Sequence, residues 1–277
     1  MGKLDSRSVI VTGGARGLGR AISLAFAREG ANIAVVDVCH GLDHIAYSLA
    51  SEKQLNETVR AIKTLGQKAI GIKANVAMST EVREMVNKTM TEFHRIDVLV
   101  NNAAVVQKQR SIVDLDEEEW DQVLSVNLKG TFLCCKHVVP YMVQQRGGKV
   151  INISSVVGRE YLGHPKDAAY NVSKSAIITL TQTLAKEVAE HSINVNAVCP
   201  GAVYTPMVEE FFRTYMPTAN SRRSYMNICK NRHVFKRELT AQDVANAVIW
   251  LASENACNIT GQAINVDAGW SLLGTPR

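Results

Sequence analysis

Residues 8–31 read "SVIVTGGARGLGRAISLAFAREGA". The β-branched run Ser8–Thr12 stops at a glycine cluster, and an amphipathic segment follows and is closed by Gly30. That order is strand, tight turn, helix. The same unit recurs along the chain. "NIAVVDV" (32–38), "KAIGIKANV" (68–76), "IDVLVNNAA" (96–104), "GKVINISS" (148–155), "INVNAVCPG" (193–201) and "GQAINVDAG" (261–269) read as strands. Helical stretches separate most of them, including "EKQLNETVRAIKTLG" (52–66), "TEVREMVNKTMTEFH" (80–94) and "AQDVANAVIWLAS" (241–253). The segment at 117–145 reads as one long helix, and "AAYNVSKSAIITLTQTLAKEVAEH" (168–191) as another. Strands alternating with helices of this length require right-handed crossovers and a parallel sheet covered on both faces. The fold class is therefore α/β, a single Rossmann-like doubly wound parallel sheet spanning residues 1–277.

In such sheets ligands bind beyond the carboxyl ends of the strands, so the polar groups following each strand should share one cleft. Gly13, Gly17 and Gly19 follow the first strand directly and open the first helix. Glycine is needed where backbone turns tightly and approaches a pyrophosphate, whose charge meets the amide N–H groups of a helix N-terminus. Asp37 ends the second strand, 18 residues beyond Gly19. A carboxylate there can accept both hydroxyls of an adenosine ribose and repels a 2′-phosphate, which favours NAD over NADP. A loop acid or helix cap is the plainer reading of Asp37, and Arg16 pulls toward NADP because a guanidinium can pair with a 2′-phosphate.

Composition narrows the class further. The chain has 277 residues, 46% hydrophobic and 21% charged, with a net charge of +5. No linker, repeat or low-complexity run divides it, and no apolar stretch approaches the roughly 18 residues of a membrane span. The N-terminus lacks the apolar core of a signal peptide, so a soluble cytoplasmic protein is expected. The six cysteines show no C-x-x-C spacing and are read as reduced thiols. Cys39, His40 and His44 cluster in "CHGLDH" without a second ligand pair, so no metal is expected. With aromatics at 6%, nothing suggests a nucleic-acid surface.

"YNVSK" places Tyr170 and Lys174 one helical turn apart on the same face. Taken alone, this is a half-buried phenol beside a snorkelling lysine. Together with "TGGARGLG", "NNAA" (101–104), "VNLKG" around Asn127, "INISS", "PGAVYTP" and "ITGQAINVDAG", it resembles the short-chain dehydrogenase/reductase family from Val9 to Trp270. The resemblance implies an NAD-dependent oxidoreductase with a catalytic set of Asn127, Ser155, Tyr170 and Lys174.

 In that reading Tyr170 exchanges a proton with the substrate oxygen while hydride passes between its carbon and the nicotinamide. Lys174, together with the oxidised nicotinamide ring, lowers the phenol's pKa toward neutrality; Lys174 also holds the nicotinamide ribose, Ser155 orients the substrate oxygen, and Asn127 anchors a water in the proton path. The resemblance also places Gly13, Arg16, Gly17, Leu18 and Gly19 on the pyrophosphate side and Asp37, Asn75, Val76, Asn101, Asn102, Ala103 and Ala104 along the adenosine. Pro200, Gly201, Val203 and Thr205 fall beside the nicotinamide. The implied substrate is a small secondary alcohol or ketone, and the implied assembly a homotetramer.

Three features depart from the family's plain pattern. Ser155 and Tyr170 are 15 positions apart, longer than is usual, which makes "GREYLGHPKDAA" an insertion over the substrate. "VCHGLDHIAYSLAS" lengthens the connection after Asp37, as in the carveol-dehydrogenase-like subgroup of that family. Within the substrate lid expected at about 205–238, "SRRSYMNICKNRHVFKR" carries Arg222, Arg223, Lys230, Arg232, Lys236 and Arg237 and no acid. It reads either as a solvated face or as a lid that attracts an anionic hydroxy substrate. Two other functions compete. A sugar-nucleotide epimerase also uses a Tyr-x-x-x-Lys helix but has a different glycine spacing, and a non-catalytic dinucleotide-binding regulator predicts a broken catalytic set.

Overall fold

The computed structural model describes Gly2 and residues 4–273 except Tyr161 and Ala219, with Glu160 described in its backbone only. Seven strands form one parallel sheet: β1 (Ser8–Thr12), β2 (Asn32–Asp37), β3 (Ala69–Lys73), β4 (Val98–Asn101), β5 (Gly148–Ile153), β6 (Ile193–Pro200) and β7 (Ala263–Val266). Their order is β3-β2-β1-β4-β5-β6-β7, so the chain reverses its direction of winding between β1 and β4. That reversal opens a crevice at the carboxyl edge.

Side chains alternate across the sheet and feed two cores. Val9, Val11, Ile33 and Val35 pack on one side with helices α1 (Gly17–Arg28), α2 (Glu52–Thr64) and, at the far end of the chain, one spanning Ala241–Ala252. Ile10, Ala34 and Val36 pack on the other with α3 (Ser79–Phe93) and the helices of residues 117–145. Both faces of the central strands are dry, which is why they read as nearly unbroken apolar runs.

Register sets the site. Thr12 lies opposite Val36 and Val11 opposite Val100, so the glycine loop, Asp37 and the residues following Asn101 leave the sheet at one level. Asn101 lies opposite Asn152, which brings Ser154 and Ser155 to the same edge.

The expected long helix at 117–145 is interrupted. It forms α4 (Glu117–Leu124), a π-helical turn (Ser125–Lys129) and α5 (Gly130–Gln145), with Asn127 at the centre of the wide turn. Such turns insert a residue into a helix and recur at functional sites. Strand β3 stops before the expected "ANV", because Ala74 makes the last bond to Asp37 and the chain then turns, with Met78 N–H donating to the Asn75 carbonyl.

After β5 come the short α6 (Val156–Glu160) and the long α7 (Ala168–Glu187). The lid contains α8 (Pro206–Tyr215) and α9 (Ser221–Arg232), before α10 (Ala241–Ala252). Thr205 caps α8 by accepting from Val208 N–H, with Pro206 at the first helical position, and Asn220 caps α9 by accepting from Arg223 N–H. No helix among the described residues is long and apolar enough to cross a membrane.

Candidate active site

The glycine loop is built for close approach. Gly13 and Gly17 have φ of +62° and +55°, in the left-handed region that favours glycine. A Cβ on Gly19 would lie 2.0 Å from the Gly13 carbonyl oxygen, and one on Gly13 would lie 2.9 Å from Cα of Ala103. Asn102 fixes this loop to β4: its Nδ2 donates to the carbonyls of Thr12 and Gly13, while Thr12 Oγ1 accepts from the N–H groups of Asn102 and Ala103. The cradle and its amide donors fit a pyrophosphate.

Asp37 stands at the carboxyl end of β2, nearly buried. Its Oδ2 accepts from Ala15 N–H at 3.1 Å and its Oδ1 from Val38 N–H at 2.9 Å. Burial pushes its carboxyl above the ordinary carboxylate range, while these N–H groups and the Arg16 guanidinium pull the other way. Arg16 Nη2 donates to the Ser48 carbonyl at 2.6 Å, so the guanidinium holds the long connection after Asp37. That connection also reaches across the cleft. Tyr47, 2% exposed, accepts from Val106 N–H through its hydroxyl, and its ring meets Tyr215 of α8 edge-on.

Further along the same cleft, beyond β5, Ser155, Tyr170 and Lys174 converge. Tyr170 and Ser155 both line the cleft. Lys174, 2% exposed, donates from Nζ to the Ile153 carbonyl at 2.8 Å and sits 5.5 Å from the centre of the Tyr170 ring. The expected lowering of the phenol pKa is not supplied by the protein's own groups. Burial pushes Tyr170 up to about 12, Ser155 opposes that shift, and the Asp167 carboxylate adds to it. Burial likewise takes Lys174 down to about 8. A site this dry penalises both the phenolate and the ammonium.

With the exception of Asn101, the residues expected to touch the cofactor line this one cleft, from Gly13 and Asp37 to Val203 and Thr205. Asn127 and Asn101 do not line it. Asn127 is fully buried: its Oδ1 accepts from Val105 N–H, and its Nδ2 donates to the Val105 carbonyl and to Ser173 Oγ. Its backbone carbonyl accepts from Thr131 Oγ1. Both polar atoms of its side chain are taken up inside the protein. Asn101 donates to Asn152 Oδ1 inside the sheet. Gly201 also lies against the backbone that follows β7, since a Cβ there would lie 2.9 Å from Cα of Asp267.

None of the six basic lid residues lines the cleft. Arg222 makes a bidentate ion pair with Glu238, which lies just beyond the acid-free run, and its guanidinium stacks over Tyr204. Arg232 and Arg237 stack over Trp270 and Phe235. Instead Met207 and Val208 of α8 join Leu42, Leu49 and Ala50 in the lining, which is largely apolar. The caps Thr205 and Asn220 were the available signals for the lid helices; nothing local marked which of their faces would meet the cleft.

A glycine cradle, a carboxylate at the end of β2 and a Ser–Tyr–Lys group on one sheet edge define a dinucleotide-dependent oxidoreductase of the Rossmann class. The chain belongs to the short-chain dehydrogenase/reductase family. Residues 13–271 match the family described as enoyl-(acyl carrier protein) reductase. The chain is 37% identical over 267 residues to 3-oxoacyl-[acyl-carrier-protein] reductase FabG of Thermotoga maritima, covering 96% of this chain and 98% of the relative. Among solved structures, carveol dehydrogenase from Mycobacterium avium in complex with NAD is similar at a TM-score of 0.92 and 30% identity, with 99% of this chain and 100% of that one covered. Levodione reductase is similar at 0.88 and 31%, with coverage of 97% and 99%.

Proposed function

We propose that this protein transfers hydride between NAD and a secondary alcohol or the corresponding ketone, with Tyr170 donating or accepting the proton at the substrate oxygen. The observation that carries this reading is the convergence of Tyr170, Ser155 and Lys174 at the far end of a cleft whose other end is closed by Asp37. Bound oxidised nicotinamide supplies the hydride acceptor and a positive charge. Ser155 orients the substrate oxygen against the phenol, and Lys174 balances the charge that develops on it. The Asp37 carboxylate disfavours a 2′-phosphate, and Arg16, tied to Ser48, is engaged away from one. The NAD-bound carveol dehydrogenase supports the same choice.

The apolar lining suits a neutral or cyclic substrate better than an anion, with residues 205–238 acting as a lid on a single domain spanning 1–277. Exposed Phe132 on α5, Val172 on α7 and Trp250 on α10 support assembly into a homotetramer. The test is a panel of cyclic and acyclic secondary alcohols, ketones and a 3-oxoacyl thioester, followed at 340 nm with NAD(H) and NADP(H). Turnover of an alcohol or ketone with NAD(H) preferred is expected. Turnover only with NADP(H), or with none of the panel, contradicts the reading.

A further inference from the structure

We propose that Gln107 is a positioning residue for Tyr170, acting as the N-terminal cap of α7 from a different part of the chain. The inference rests on the proton-transfer role given to Tyr170 above.

Tyr170 is the third residue of α7, so its N–H is one of the helix's unpaired donors. Asp167 occupies the cap position, where an aspartate ordinarily accepts from the second or third N–H. Here its side chain makes no cap bond. Gln107 Oε1 takes the Tyr170 N–H at 3.2 Å, and Asp167 Oδ2 accepts instead from Gln109 Nε2 at 3.2 Å. Arg110 N–H donates to the Lys166 carbonyl, so the segment after β4 is stitched at two points to the insertion before α7 and at a third to α7 itself.

The other main-chain polar atom of Tyr170 is held as well. Its carbonyl accepts from Ser173 Oγ at 2.7 Å, and Ser173 Oγ accepts from Asn127 Nδ2 at 3.0 Å. Asn127 clamps both backbone atoms of Val105, two residues before Gln107. The hydrogen bonds therefore close a ring: Gln107, Tyr170, Ser173, Asn127, Val105 and back along the chain to Gln107. Gln107, Asn127 and Ser173 are all fully buried. In water these bonds would be worth little, but breaking one here strands a buried partner.

The ring fixes the backbone that carries the phenol, and a displacement of about 1 Å at a reacting group can cost on the order of a hundredfold in rate.

The test compares wild type, Gln107→Leu, which keeps the size and removes the acceptor, and Gln107→Glu, which restores it. Three quantities are read: kcat with the best substrate of the panel, Kd for NAD, and hydrogen exchange of peptides spanning residues 165–175. For Gln107→Leu the expected result is a kcat at least tenfold lower, a Kd within about twofold of wild type, and faster exchange at the start of α7. Gln107→Glu should recover the protection and most of the lost kcat. Faster exchange with unchanged kcat would overturn the positioning role, and unchanged exchange would overturn the cap. Should Gln107→Leu fail to fold, Gln107→Glu decides: a protected α7 terminus with kcat within about fivefold of wild type supports the proposal, and loss of either overturns it. Absence of turnover in the wild type would sink the function proposed above, while the exchange measurement would still decide the ring.

Discussion

Burial moves both titratable side chains at the nicotinamide end toward their neutral forms, and this has a consequence for stability. Lys174 falls from an ordinary 10.5 to about 8 in the folded protein. Below pH 8 both folded and unfolded chains carry its proton and the full penalty is present. Between about pH 8 and 10.5 the unfolded chain binds a proton that the folded chain has released, so stability from this group rises with pH. Tyr170 works in the opposite sense only above pH 10, where the folded chain keeps a proton that the unfolded chain loses. Urea unfolding at pH 8 and pH 10 should therefore show a gain for wild type over Lys174→Met of about 2–3 kcal/mol. Equal pH slopes would mean that Lys174 is better solvated than its 2% exposure implies.

Asp37 carries a second prediction at this scale. Asp37→Ser removes the ribose acceptor and the repulsion of a 2′-phosphate, and it frees Arg16 from its neighbouring carboxylate. The ratio of kcat/KM for NADP to that for NAD should rise at least tenfold; an unchanged ratio would remove Asp37 from cofactor choice. The residue identities at both ends of the cleft were legible in the sequence. Their protonation was not, because desolvation depends on what covers a group, and the covering comes from segments distant in the chain.

Elements were read best where a pattern was strong and local. Strand–glycine–helix units gave β1 to α2 nearly to their ends, and Ser51 with Gln54 forms the capping box that starts α2. Asn127 shows the limit: "VNLKG" sits in a periodic apolar pattern that reads straight through, while the wide turn is imposed by tertiary bonds to Val105 and Ser173. The connection between β2 and α2 was visible only as extra length. What it does depends on Tyr47, whose hydroxyl accepts from Val106 N–H across the cleft. Tyr47→Phe should lower stability by about 1–2 kcal/mol through the orphaned N–H and weaken NAD binding severalfold. Unchanged urea midpoint and Kd would show the strap to be incidental. For the lid, the pairing of Arg222 with Glu238 leads to the expectation that Arg222→Ala/Arg223→Ala leaves the salt dependence of kcat/KM flat. A tenfold rise in KM would restore the anionic substrate.

At the scale of the whole molecule, alternating strands and helices were enough to give the sheet and its reversal, because right-handed crossovers leave few topologies for such a pattern. Surfaces meant for partners are harder to read. Phe132 and Val172, each 46% exposed, stand on α5 and α7, and in the sequence they are indistinguishable from core residues of an amphipathic helix. Light scattering at micromolar concentration should give a tetramer, and Phe132→Glu should shift it toward smaller species. A monomeric wild type would contradict the assembly.

The central claim is that Tyr170 moves the proton, and single-site replacement by phenylalanine addresses it most directly. The ring and its contact with Lys174 are kept while the hydroxyl is lost. With a substrate turned over by the wild type, Tyr170→Phe should bind NAD with nearly unchanged Kd and lose kcat by several orders of magnitude. Retention of more than about a tenth of the wild-type kcat would contradict the account.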